Sequence, residues 1–359
     1  MASKVYRENN LADIGYLRWK YEGNPYGVIT SVCDNGGQVV GFNALILVPM
    51  KVSDSEVRSA IGGDSMVHPE FRRQGIFVAT TRHLEDQCHA GAKENVYMIY
   101  GTQSLKSATV QGITKHLAYR HIGDIVILKQ YFSPIFVLTH LRSHYPTLTL
   151  RNPVKYLGAL TEVVSTTLFG YLGSLVDLLG GSIRPQEDRH PQVREIAPLT
   201  FGDEFDDLWQ RIQQTMPVAI IKRSAYLNWR YNNPKSTYIG FRADRDGELQ
   251  GFCLLSYITK EELKTAWVLD LVGTNPETEA DLIRQASRRA KRDGAHILIL
   301  WRTNHMQSFL PRFRLGLGKS WRNHPLVIHT LDHTSKTPED IVGDISNWYV
   351  TVADTEDWT

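Results

Sequence analysis

Apolar runs of strand length, separated by turn residues, form the first pattern in the chain. Residues 27–33 read as a strand, Asp34-Asn35-Gly36-Gly37 as a hairpin turn and 38–48 as the return strand. A further strand at about 58–67 is followed by a helical period over 75–90 and an apolar strand at 96–100. The same succession returns later. Strands at 239–243 and 250–258 flank Asp244-Arg245-Asp246-Gly247, and a strand at about 265–272, a helix at 277–292 and an apolar strand at 296–301 follow.

Ahead of each copy stands one short motif. Tyr16-Leu17-Arg18-Trp19-Lys20-Tyr21 precedes Asn24-Pro25, and Tyr226-Leu227-Asn228-Trp229-Arg230-Tyr231 precedes Asn233-Pro234. Composition does not easily produce such a match, so two copies of one α/β domain is the economical reading. Trp19, Tyr21, Trp229 and Tyr231 have helical spacing and are taken as packing residues. The expected division is 1–131 for the first copy, 132–192 for an insert punctuated by Pro134, Pro146, Pro153, Pro185 and Pro191, and 193–359 for the second. The tail of the second copy, with Trp348-Tyr349-Val350 and Trp358, is expected to dock on that copy.

Composition narrows the class. The chain is 42% hydrophobic and 22% charged, which is the make-up of a globular protein that buries its own cores. Lys plus Arg number 40 against 38 Asp plus Glu, so no basic excess draws it to nucleic acid. Cys33, Cys88 and Cys253 are odd in number and far apart, which suits a reducing compartment and neither a disulfide framework nor a zinc site. Residues 1–10 are polar and lack the apolar stretch of a signal peptide, so a cytoplasmic location is expected. The apolar-rich segment 156–179 contains Glu162 and Asp177, which reads as a packed amphipathic helix and not as a stable membrane insertion.

The chemistry concentrates where the strand ending at Val67 runs through His68-Pro69-Glu70-Phe71-Arg72-Arg73-Gln74-Gly75 into a helix. Pro69 and Gly75 fix the turn, and the helix start directs backbone N–H groups and the positive end of the dipole outward. Arg72 and Arg73 add charge suited to a pyrophosphate.

This segment resembles the pyrophosphate-binding signature of the GNAT acyl-CoA N-acyltransferase superfamily, Arg/Gln-x-x-Gly-x-Gly/Ala after Val-x-Pro-x-aromatic. Val67, Pro69, Phe71, Arg72 and Gly75 match, and Phe77 stands where Gly or Ala is usual. The resemblance implies an α/β fold of the α+β mixed-sheet type, as two GNAT-like domains. Each would be a mostly antiparallel sheet with a splayed parallel strand pair and flanking helices. It implies acetyl-CoA or another acyl-CoA as co-substrate, with no metal. Met66, Val67, Arg72, Arg73, Gln74, Gly75, Ile76, Phe77, Gln103, Ser104 and Ser107 would then line the coenzyme, the pantetheine arm lying between the strands at 58–67 and 96–100. Leu117-Ala118-Tyr119-Arg120 resembles the Leu-Gly-Phe/Tyr that closes the following helix.

Transfer to an amine needs a base for one proton and hydrogen-bond donors for the thioester oxygen. Asp64, on the strand that would border the thioester, is the candidate base. His68 occupies a position usually structural in the matching motif, Glu70 is a charge at the helix start, and His116 and His121 receive no role. Thr114 stands where many such enzymes place the Tyr that protonates the leaving thiolate.

In the second copy Glu277, Glu279 and Asp281 replace the phosphate-binding arginines, so that copy is expected to repel the coenzyme. Its Asp270, Trp301, Arg302, Asn304 and His305 sit at strand ends from which an acceptor could be reached, Trp301 being equally a core residue. The expected function is N-acyl transfer, most simply of acetyl, to the amine of a small molecule or amino sugar. The alternatives are a non-catalytic acyl-CoA sensor, favoured by Thr114, and an aminoacyl-tRNA-dependent transferase of duplicated GNAT-like fold, disfavoured by the intact pyrophosphate signature.

Overall fold

The computed structural model describes residues 13–89, 96–102, 107–144, 158, 160–168, 191–303, 315–331 and 339–355. The chain forms two compact units, one of 1–125, 213–236 and 324–359, the other of 126–212 and 237–323.

In the first unit, helix α1 (Ile14–Leu17) continues into a π-helical turn at Arg18–Glu22. Strands β1 (Val28–Asn35), β2 (Gln38–Val52) and β3 (Ser55–Val67) form an antiparallel meander. Helix α2 (Ile76–His89), strand β4 (Met98–Gly101), helix α3 (Ala108–His116) and the start of β5 (Arg120–Tyr131) follow. Strand β2 is almost continuously buried from Val40 to Val52, as expected for a strand covered on both faces. Helix α2 buries Thr80, Leu84 and Cys88, one residue per turn, against a core that includes Ile29, Leu45, Ala60 and Ile99.

Later parts of the chain complete this unit. Strand β7 (Val218–Ile220) pairs with β2, and β13 (Trp348–Tyr349) pairs with β7. The end of β12 (Gly318–Thr330) pairs with β4. Lys222 and Asp354, both about 1% exposed, form an ion pair at 2.5 Å, and Arg230 Nε donates to the Ala353 carbonyl. The tail thus packs against β7, Lys222 and Arg230, residues of the second copy that belong to the first unit. The reason is local: the open edge of β2 accepts β7, and the buried Lys222 ammonium needs the Asp354 carboxylate. The motif helix of the second copy, α6 (Ser224–Arg230), follows β7 into the same unit. There the two repeat tryptophans meet. Trp19 Nε1 donates to the Trp229 carbonyl at 2.7 Å, Trp229 Nε1 donates to the Trp19 carbonyl at 3.1 Å, and their rings stack at 5.7 Å.

The second unit repeats the strand, strand, strand, helix, strand order. Strands β6 (Gln192–Ile196), β8 (Tyr238–Arg245), β9 (Glu248–Lys260), β10 (Leu263–Gly273) and β11 (Ile297–Arg302) pair in that order, and β11 also pairs with the end of β5. All are antiparallel except β10 with β11. Helix α7 (Pro276–Arg292) packs Ala280, Ile283, Ala286 and Ala290 into the core of this unit. Helix α4 (Pro134–His144) and helix α5 (Asp203–Ile212) complete it, and residues 160–168 are helical. Glu162 is buried and satisfied there by Lys129 Nζ and the Tyr131 hydroxyl, each at 2.7 Å, and by the Ser320 hydroxyl at 2.9 Å. Among the described residues no helix is long and apolar enough to cross a membrane.

Candidate active site

Strands β3 and β4 run parallel but pair only at Ala60 with Ile99 and at Ile61 with Tyr100. Beyond Ile61 they part, and the edge of β3 from Gly62 to Val67 that faces β4 has no strand partner among the described residues. This is the splayed parallel pair expected from the resemblance. A cavity of about 60 Å³ lies at the parting, lined by Gly62, Tyr100 and Gly101 from the strands, Phe77 and Leu84 from α2, and Ile113 from α3.

A β-bulge marks the same stretch of β3. Phe42 faces Met66 and Ala44 faces Gly63, so Asp64 and Ser65 together oppose the single residue Asn43. Asp64 takes a left-handed φ of 46°, which Asp tolerates better than most side chains. Asn43 holds the bulge: its Oδ1 accepts from Ser65 Oγ at 2.6 Å and from the Ala44 N–H at 3.0 Å. Its Nδ2 donates to Thr81 Oγ1 at 2.9 Å, and Thr81 donates in turn to the Phe77 carbonyl at 2.8 Å. The bulged strand is thus tied to the first turns of α2.

Asp64 is a committed group. Its Oδ2 lies 2.6 Å from Lys20 Nζ and accepts from the Tyr21 hydroxyl at 2.5 Å. Lys20 is fully buried, near the rings of Tyr16 and Tyr21. The first Tyr-Leu-x-Trp-basic-Tyr motif therefore does more than pack: it delivers an ammonium and a phenol to the carboxylate at the bulge. The repeat displayed these residues, but read only for helical spacing, Tyr21 passed as packing and Lys20 went without a role.

The loop after Val67 is shaped by Pro69–Phe71, a single 3-10 turn. Buried His68 donates its backbone N–H to the Val40 carbonyl and sets its ring against Phe71, a packing role. Arg73 and Gly75 adopt positive φ, 64° and 79°, with Gln74 between them on the other side of zero. Alternation of this kind turns successive N–H groups into a concave anion-binding surface. Among the described residues none accepts a hydrogen bond from the backbone N–H of Arg73, Gln74 or Gly75. The side chains of Arg72 and Arg73 are exposed beside them, Arg72 Nε lying 3.3 Å from the Val67 carbonyl. Phe77 forms a wall of the pocket and faces Gly112, where an added Cβ would come within 3.3 Å of its ring. A glycine on α3 thus makes room for the bulky residue at the position usually small.

The corresponding helix of the second copy differs. Helix α7 is capped by Asn275, whose side chain accepts from the Thr278 N–H at 2.9 Å, and carries Glu277 and Glu279 in its first turn. Glu279 is buried and pairs with Arg302 at 2.9 Å. Burial pushes its carboxyl up, an effect partly offset by the charge and hydrogen bond of Arg302. The start of α7 supplies its own anions, whereas α2 has no acidic residue in its first turn.

Other expected residues are dispersed. Ser107 caps α3, its hydroxyl accepting from the Val110 N–H at 3.1 Å. Thr114 donates its hydroxyl to the Val110 carbonyl of its own helix at 2.7 Å. Met66 is buried, and Val67 and Ile76 are half-buried. His121 pairs with Asp124 at 2.9 Å, and exposed His116 contributes its carbonyl to Arg82. Asp270, Trp301 and Arg302 are buried within the second unit, and Arg302 is engaged by Glu279. Gln103, Ser104, Asn304 and His305 lie outside the described residues. Tyr119, which sequence reading placed only as a helix-closing residue, lines the pocket. Burial, then the charge and hydrogen bond of Glu85, keep its phenol protonated well above the usual range.

No family model matches the chain, and no curated protein matches it in sequence. Solved structures do match in shape. A GCN5-related N-acetyltransferase from Anabaena variabilis superposes with a TM-score of 0.56 at 12% identity, over 92% of this chain and 72% of that one. A conserved protein from Enterococcus faecalis described as a probable N-acyltransferase superposes with a TM-score of 0.51 at 11% identity, over 85% of this chain and 62% of that one. The splayed strand pair, the helix start that follows it and these superpositions together show that the chain has a GNAT-like fold over most of its length.

Proposed function

We propose that the protein is an N-acyltransferase that moves an acyl group from coenzyme A to the amine of a small molecule or amino sugar. The observation that carries this reading is the open edge of β3 beyond Ile61 beside the start of α2, whose first turn carries no acidic residue. The backbone of Gly62 to Val67 would receive the amides of the pantetheine arm as an added strand. The N–H groups of Arg73, Gln74 and Gly75, the first N–H groups of α2 and the guanidinium groups of Arg72 and Arg73 would hold the pyrophosphate. The coenzyme supplies an activated thioester carbon. Asp64 at the bulge takes the proton of the attacking amine, with Lys20 and Tyr21 fixing its orientation. Thr114, bonded within its own helix, is not the acid for the leaving thiolate.

One coenzyme per chain is expected, because the acidic first turn of α7 disfavours a second. Calorimetric titration with acetyl-CoA tests this, and two equivalent sites would refute it. Thiol release measured over a panel of amines and amino sugars tests transfer itself. Binding without release from any acceptor would favour the sensor reading that the Thr114 position raises.

A further inference from the structure

The cavity at the parting of β3 and β4 is small, and most of its walls are core. Leu45, Leu84, Ile99, Tyr100 and Val327 are each 2% exposed or less. Its polar atoms are already engaged: Asn43 donates to Thr81, and the Tyr100 hydroxyl donates to the Asp354 carbonyl at 2.9 Å. Such a space favours hydrocarbon over a polar group. A dry cavity of roughly 150 Å³ takes a six-carbon ring. On that scale about 60 Å³ holds two or three carbons.

One wall is unlike the others. Phe77 stands in the first turn of α2, half-buried, whereas Leu84 deeper on the same helix is fully buried. Of the α2 residues that line the cavity, it is the nearest in sequence to the concave turn at Arg73–Gly75. Its carbonyl accepts from the Thr80 and Thr81 hydroxyls at 3.0 and 2.8 Å, which fixes the turn that carries the ring. The ring lies against Gly112 of α3, where an added Cβ would sit 3.3 Å from it. A residue that is usually small in the matching signature thus reaches from α2 to the backbone of α3. An alkyl chain longer than the cavity holds has no room while this ring stays, since the packed core behind it does not yield without cost.

We propose that Phe77 sets the length of the acyl group, its ring closing the cavity against Gly112 so that a tail of two or three carbons fits and a longer one does not. The proposal rests on the coenzyme reading of the preceding subsection and adds to it the donor class and the residue that selects it.

Calorimetry on the full chain with coenzyme A, acetyl-CoA, propionyl-CoA and hexanoyl-CoA is expected to show hexanoyl-CoA binding no tighter than acetyl-CoA. Phe77→Ala removes a six-carbon ring and leaves space for a tail of that size. Each methylene buried raises affinity roughly fourfold, so in this variant hexanoyl-CoA should bind at least about 20-fold tighter than acetyl-CoA, allowing for incomplete burial. The ratio of the two affinities within one variant is the quantity read, so a general loss of coenzyme affinity does not disturb it. Phe77→Leu should shift the same ratio in the same direction by less, and it carries the test if the alanine variant does not fold. Hexanoyl-CoA binding tighter than acetyl-CoA in the unmodified protein overturns the proposal, and so does a ratio unchanged by either substitution. No binding of any of the four overturns the coenzyme reading and the proposal together.

Discussion

Replacing Asp64 by Asn separates two roles that this carboxylate combines. Asn tolerates the left-handed φ of 46° that the bulge imposes, so the backbone is not the quantity perturbed. What changes is charge: the Lys20 ammonium, fully buried and 2.6 Å from Asp64, loses its counter-ion. Removing one partner of a buried pair costs about 3–5 kcal/mol, since the remaining charge is left in a medium that solvates it poorly. For a unit of this size the loss corresponds to a melting point lower by roughly 6–20 °C. Replacing both partners, Lys20→Met with Asp64→Asn, removes the orphaned charge and should recover all but about 1 kcal/mol of the stability. Denaturant unfolding read by tryptophan fluorescence measures the two variants against the parent. Turnover completes the argument. If Asp64 is the base, the double variant is stable and still inactive. A single variant within about 1 kcal/mol of the parent, or a double variant no more stable than the single, would refute the reasoning about the buried pair.

Gly75→Val forces a β-branched residue into a φ of 79° at the helix start and should weaken acetyl-CoA binding at least about tenfold by calorimetry, with little change in melting point; Arg73→Glu should weaken it through charge. Burial alone would push the Asp244 carboxyl up, yet hydrogen bonds and charge from Arg242 and Arg194 outweigh it and hold the group below its ordinary value of 3.8. Its contribution to stability is therefore present above that value and lost as pH falls through the lowered one, so Asp244→Asn should flatten the acid side of a stability profile measured by urea unfolding. A fragment ending at residue 192 lacks Lys222, Trp229 and Asp354, all buried in the first unit, and is expected to show no cooperative thermal transition by circular dichroism.

The duplicated strand order was legible because it rests on periodicity, which one sequence displays directly, whereas the splayed pair was implied only by the resemblance of residues 67–77 to the GNAT signature. The loop from His68 to Gly75 was legible because proline, glycine and arginine there act through backbone shape and charge, which need no partner elsewhere. Two features were not. The pairing of Lys20 and Tyr21 with Asp64 joins positions 43 or more residues apart, and nothing local marks it beyond a basic residue on a helix that otherwise packs. The allocation of 213–236 to the first unit was hidden for a different reason: the repeat places that helix with its own copy, and only the open edge of β2 and the buried Lys222 decide otherwise. Asn43 was the missed hint at the bulge. It is the one amide within the apolar run Val39–Met50 of β2, and such a residue is retained in a core only where it satisfies something.

The reciprocal bonds between Trp19 and Trp229 span 210 residues of chain, and the bond from Tyr100 to Asp354 spans 254. At a synthesis rate of about 5–20 residues per second, Trp19 leaves the ribosome roughly 10–40 s before its partner exists. Through that interval the nascent first copy has an unpaired β2 edge and an uncovered indole. The first unit therefore completes its core only after residues 348–355 have been made. Synonymous codon changes that slow elongation after residue 131 would therefore lengthen the period in which a chaperone or a protease meets the unfinished half, without altering any contact of the finished protein.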